Sequence, residues 1–112
     1  VPQVTVHSTQ LGAKAGMGTT LVTVYTVPSG KRTIVKGIWV RNAGAAATVC
    51  DVNLALSGGP SPSFFIALTA TPAAGSTVFL PVWIVLNAGD VIKAAMNAGT
   101  GDLIVAGAEL TL

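Results

Sequence analysis

Charge is what this 112-residue sequence most lacks. Asp, Glu, Lys and Arg together make up 9% of it, against about 25% in an ordinary soluble domain. A free monomer keeps itself in solution with such side chains, so a chain this poor in them is expected to hide much of its outside against neighbours. The net charge of +2 is too small to argue for nucleic acid or anionic lipid as a partner. Cysteine occurs once, as Cys50, which excludes an intrachain disulfide. It sits in the alternating stretch TVCDVNLAL, where a buried thiol serving as a small hydrophobe is the expectation.

Long apolar runs are missing too. The longest, VFLPVWIVL from Val78 to Leu86, is interrupted by Pro81 and falls well short of the ~20 residues a membrane-spanning helix needs. No stretch near the start has the charged, apolar and small-residue order of a secretory signal. Neither a membrane nor a nucleic acid is therefore expected as a partner. Catalytic material is equally thin. The acids are Asp51, Asp90, Asp102 and Glu109, and the single histidine is His7, far in sequence from Cys50. No nucleophile–base pair and no zinc or calcium spacing emerges. The chain is expected not to be an enzyme and to carry no metal and no cofactor.

What the sequence has in quantity is glycine-centred turns. They recur at PSGK, NAGA, SGGPSP, AAGS, NAGD and NAGTGD, and Asn-Ala-Gly itself begins at Asn42, Asn87 and Asn97. Asparagine closes a turn on its own backbone and glycine supplies positive φ. Between the turns lie short β-branched segments, among them TLVTVYTV, RTIVKGIWVRN, TVCDVNLAL and STVFLPVWIVL. No ten-residue stretch carries helical apolar periodicity with a cap. About eight short strands predict an all-β, two-sheet antiparallel sandwich without substantial helix, with a jelly roll as the leading topology. An immunoglobulin-like sandwich competes, but its cysteine pair around a core tryptophan is missing. Residues 1–19 are expected to form an N-terminal arm, with a possible first strand in PQVTVHS and a flexible connector in GAKAGMG. Residues 20–112 form the sandwich.

The segment TVPSGKRTIVKGIWVRN concentrates four of the six basic residues. Its Gly30-Lys31 pair fails as a phosphate-binding loop, because Tyr25 stands where the first glycine belongs and Arg32 follows the lysine. A β-turn with Pro28 second and Gly30 fourth is expected instead. In an ideal pleat Lys31, Trp39 and Arg41 share one face, and Arg32 and Lys36 the other. Lys36 interrupts the apolar line of Ile34, Ile38 and Val40, a conflict that a bulge would resolve. One aromatic among these cations is too little for a single-strand nucleic-acid groove.

The large apolar side chains carry more information. Phe64 and Phe65 are adjacent, so one of them faces outward. In VFLPVWIVL both alternating lines, Val78/Leu80/Val82/Ile84 and Phe79/Pro81/Trp83/Val85, are apolar, and Pro81 favours an edge strand or a bulge. An apolar outward line in a charge-poor domain points to a protein interface. The candidates are Trp39, Arg41, Phe64, Phe65, Phe79 and Trp83.

The run Tyr25 to Lys31 (YTVPSGK), then Val35, Ile38, Val40 and Asn42, then Val85 to Asp90 (VLNAGD) resembles small β-sandwich structural proteins of tailed bacteriophages. Capsid cement or decoration proteins are among them, as are tail and fibre parts. The resemblance covers most of the chain beyond residue 20 and brings no active site with it. It implies a virion protein, made in the host cytoplasm, that binds the outer capsid surface and stabilises it by multimeric association. The implied partners are the major capsid protein and further copies of this chain, as a dimer or trimer. A tail- or fibre-borne module that binds a receptor or carbohydrate, using Trp39 with Arg41 and Asn42, is the alternative.

Overall fold

The computed structural model describes residues 5–55 and 64–111, and of residues 5–7 and 64–67 the backbone only. Eight strands run through it: β1 (Thr5–Met17), β2 (Val22–Thr26), β3 (Lys31–Asn42), β4 (Cys50–Ala55), β5 (Phe64–Ala70), β6 (Thr77–Leu86), β7 (Val91–Met96) and β8 (Gly101–Thr111). All pairings are antiparallel, in two four-stranded sheets with the orders β1-β8-β3-β6 and β2-β7-β4-β5. Only β4 and β5 follow one another within a sheet; every other connection crosses between sheets. That order is the double Greek key of a jelly roll, as the strand count and turn spacing predict.

Alternation decides what goes between the sheets. In β4, Cys50, Val52 and Leu54 are buried while Asp51 is exposed. In β7, Ile92, Ala94 and Met96 are buried. From the other sheet Val35, Ile38, Val40, Leu103 and Val105 meet them in one core. At ~25 cal/mol per Å2 of apolar surface removed from water, such burial is the main force holding the layers together.

The N-terminal segment differs from its expectation. The stretch GAKAGMG is no loose connector: β1 continues through it to Met17, pairs with β8 along its length, and buries Met17 in the core. Two bulges, between Gln10 and Gly12 and between Lys14 and Met17, hide the alternation that would have marked it as a strand. Gly12 allows the close approach at this corner, since a Cβ there would lie 2.7 Å from the Val24 carbonyl oxygen.

The turns follow the glycines. Gly30 has φ +75°, and Lys31 donates its N–H to the Pro28 carbonyl at 3.2 Å. The turn therefore starts at Pro28, one residue later than expected, because Gly30 takes the third position, where a positive φ is needed. In NAGD the Asn87 N–H donates to the Asp90 carboxylate at 2.8 Å, a local bond that closes the turn. This turn also docks on the first, through Val27 N–H to the Asp90 carbonyl and Gly89 N–H to the Val27 carbonyl.

Asn42, at the end of β3, is fully buried. Its Nδ2 donates to the Ala46 carbonyl at 2.7 Å and to the Pro72 carbonyl at 3.2 Å, while its Oδ1 accepts from the Gly44 N–H at 2.9 Å. One side chain thus pins the loops that follow β3 and β5. Truncating it would strand the buried Pro72 carbonyl, at about 1–3 kcal/mol, and remove two further bonds, to the Ala46 carbonyl and the Gly44 N–H, that are partly buried. Asn42→Ala is expected to destabilise the fold by roughly 3 kcal/mol, read as a lower urea midpoint with an unchanged slope.

Candidate protein interface

The outer face of the β1-β8-β3-β6 sheet is set by one irregularity in β3. Thr33 and Val35 point into the sandwich, then the pairing of β3 with both β6 and β8 shifts between Val35 and Gly37. After that bulge Ile38, Val40 and Asn42 are the buried residues. Arg32, Lys36, Trp39 and Arg41 consequently all lie on the outer face. The ideal-pleat division of these residues over two faces is thereby corrected: against β8 the extra residue is Lys36 itself, whereas against β6 the extra residue lies on β6, between Pro81 and Ile84. Lys31 departs from them: its Nζ lies 3.6 Å from Glu109 Oε2 and donates to Thr111 Oγ1, at one end of the sandwich. Beside it the buried Tyr25 hydroxyl bonds both Thr33 and Glu109.

Register then places the apolar side chains in rows. Phe79, Trp39 and Ile104 are direct cross-strand neighbours on β6, β3 and β8. The Trp39 and Phe79 rings stand 4.7 Å apart at 39°, a tilted contact that aromatic quadrupoles favour. The Phe79 ring lies over Gly37, where a β-carbon would collide with it. Trp83 projects farthest, 69% exposed, with Phe79 at 46% and Val85 at 50%. Lys36 Nζ sits 5.4 Å from the Trp83 ring centroid, within cation–π reach. As Pro81 suggests, β6 is a sheet edge and carries a register shift.

The opposite outer face has another character. Thr23, Lys93 and Asn53 form one of its cross-strand rows, and Asp51 pairs with Thr69 in the next. Among its described side chains this face mixes polar groups with small aliphatic ones such as Val91 and Ala95, whereas the first is aromatic and aliphatic. Exposure of large apolar groups is therefore one-sided: of six such residues among those described, Trp39, Phe79, Trp83, Val85 and Ile104 share the first face and Leu21 stands apart.

Beside Trp39 the face dips into a shallow depression of about 580 Å3, lined also by Gln10, Arg41, Thr77, Asp102, Ile104 and Ala106. Here Arg41 Nη1 lies 3.1 Å from Asp102 Oδ2. Asp102 Oδ1 accepts the Gly16 N–H at 2.9 Å. Asp102 thereby ties β8 to β1 and β3. The Gly16 N–H, and after it the Arg41 guanidinium, hold its carboxyl below the usual value.

Of the sequence candidates, Trp39, Arg41, Phe79 and Trp83 come together on this face. Phe64 and Phe65 open β5 in the other sheet, and their side chains lie outside the described residues. Asn42 is withdrawn from any ligand by its own hydrogen bonds. Ile104 and Asp102 were missed, since nothing local in GDLIVAG announces that β8 lies beside β3. Among the described residues no group of His, Cys, Asp and Glu is placed to hold a metal.

No family model matches the sequence, and no curated protein matches it. Solved structures do. A chain from the study "Bacillus endospore appendages form a novel family of disulfide-linked pili" is similar over 99% of this chain and 92% of its own length, with a TM-score of 0.61 at 15% identity. A chain of infectious bursal disease virus-derived T=1 particles is similar over 96% of this chain, at TM-score 0.47 and 10% identity. The exo-β-1,3-galactanase of Phanerochaete chrysosporium gives 94%, 0.44 and 16%. The present chain spans only 31% and 30% of those last two. The first likeness shows a shared fold; the weaker two add nothing to it. None of the three comes from a tailed bacteriophage, so that resemblance rests on the sequence motifs.

Two measurements check this geometry. Burial, aided by Asp51, pushes the Cys50 thiol up to about 11, so at pH 8 a thiol reagent should label Cys50 only after unfolding. Asp102, with its pKa depressed, contributes stability that is present above ~3.9 and lost as pH falls through the lower folded value. Carboxyl NMR should place its midpoint below ~3.9, and Arg41→Gln should move that midpoint up.

Proposed function

We propose that this protein is a structural subunit that works by association: a jelly-roll block of a virion, of the cement or decoration type, which binds the outer capsid and stabilises it. The observation that carries this reading is the one-sided apolar outer face, Phe79–Trp39–Ile104 flanked by Trp83 and Val85. Covering Trp83 alone would remove on the order of 150 Å2 from water, about 4 kcal/mol before the cost of association. The charge-poor composition supports the same reading, because an apolar patch on such a surface marks a site of interaction. On this reading the protein is not an enzyme, and its partners are the major capsid protein and, through multimer formation, its own copies.

The fold is shared with an endospore pilus chain whose assemblies are disulfide-linked. Linkage of that kind is not open to these 112 residues as folded, since their single cysteine is buried in the core. Association here would be non-covalent, and many shallow contacts on one shell would add up through avidity.

A second reading, a tail- or fibre-borne module that binds carbohydrate, draws on the depression beside Trp39, where an indole adjoins Arg41, Asp102, Gln10 and Thr77. The two readings separate in one experiment. Added to capsids that lack it, the protein should rebind and raise their thermal disruption temperature, and Trp83→Ala should abolish both effects. Binding to glycans with no change in capsid stability would favour the module and overturn the cement role.

A further inference from the structure

The charges on the apolar face are unevenly provided for. Arg32, Lys36 and Arg41 all project from β3, and Asp102 on β8 is the carboxylate among them. Asp102 is taken by Arg41 at 3.1 Å. Arg32 Nε donates instead to a neutral acceptor, Asn87 Oδ1, at 3.2 Å, and Lys36 stands over the Trp83 ring. Any surface that covers Trp83 and Val85 must therefore also approach two cations that this fold supplies with no carboxylate in the ion pairs of its described residues.

We infer that this face docks on a protein surface that is apolar at its centre and acidic at its rim, a heterologous partner and not a second copy of the chain. The inference rests on the association reading above and names the chemistry of its partner. Four strands about 4.8 Å apart and some ten residues long at ~3.3 Å each give a face on the order of 600 Å2. That is near the ~800 Å2 per partner of a standard protein interface. An isologous pair would press one basic rim onto another and lose affinity through like-charge contact, while carboxylates opposite Arg32 and Lys36 would steer encounter and fix register. Copies that associate within a larger assembly would then do so through surfaces other than this one.

The test uses the chain itself as probe. A copy carrying Arg32→Glu and Lys36→Glu presents the same apolar row inside an acidic rim; both positions are exposed, and near-UV circular dichroism checks that the Trp39–Phe79 contact persists. By sedimentation the wild type alone and the variant alone should each show no association that Trp83→Ala removes. An equimolar mixture should form a heterodimer that weakens at least tenfold in ~0.5 M salt and disappears when either copy carries Trp83→Ala. Self-association of the wild type that Trp83→Ala abolishes and that is as tight as the mixture, or a mixture that gains no association over its components, overturns the inference. On capsids lacking the protein, the double variant should bind at least tenfold more weakly than wild type, and equal binding counts against the inference. If neither protein binds capsids, the cement reading falls, and the mixing result still decides the chemistry of the face.

Discussion

One break in the pleat of β3 governs the outer surface of this molecule. Lys36 sits where β3 slips against both of its neighbours, and the slip reverses which residues of the strand face the core. Before it Thr33 and Val35 are inside; after it Ile38, Val40 and Asn42 are. Because side chains alternate with period two, a strand without the break would have to bury either its first half or its second, and expose the other. The bulge lets both halves contribute to one core. It also sends Trp39 outward, next to Phe79 and Ile104, and places the Lys36 ammonium over Trp83.

The remaining features of the face depend on that arrangement. Gly37, immediately after the break, leaves the bare backbone on which the Phe79 ring lies. Pro81 pairs opposite Gly37 on the edge strand, where a missing N–H donor is harmless. Asn42 ends the strand in the interior and fastens two loops, so its position too is set by the phase that the break imposes. Core and surface are thus solved by the same local irregularity.

This explains which parts were legible beforehand. Regular alternation in β4 marked Cys50 as buried, and turn glycines with positive φ marked the strand ends. The doubly apolar β6 and its Pro81 pointed to an exposed edge strand. Illegible were the places where period two breaks. β1 was hidden by its two bulges, and the shared outer face of Arg32, Lys36, Trp39 and Arg41 was hidden by the one in β3. The arrival of Ile104 and Asp102 beside Trp39 and Arg41 is a matter of strand order, sixty residues distant in sequence. A conflict in the pattern, a lysine in an apolar line, was the only local sign of the most consequential feature.

On the proposed reading the molecule meets its partner with the outer face of the β1-β8-β3-β6 sheet. Hydroxyl-radical footprinting, comparing the free chain with the chain in its native assembly, tests this most directly. Strong protection of Trp39, Phe79 and Trp83 is predicted, with the outer face that bears Thr23 and Asp51 unchanged. Protection confined to that opposite face, with Trp83 oxidised equally in both states, would contradict it.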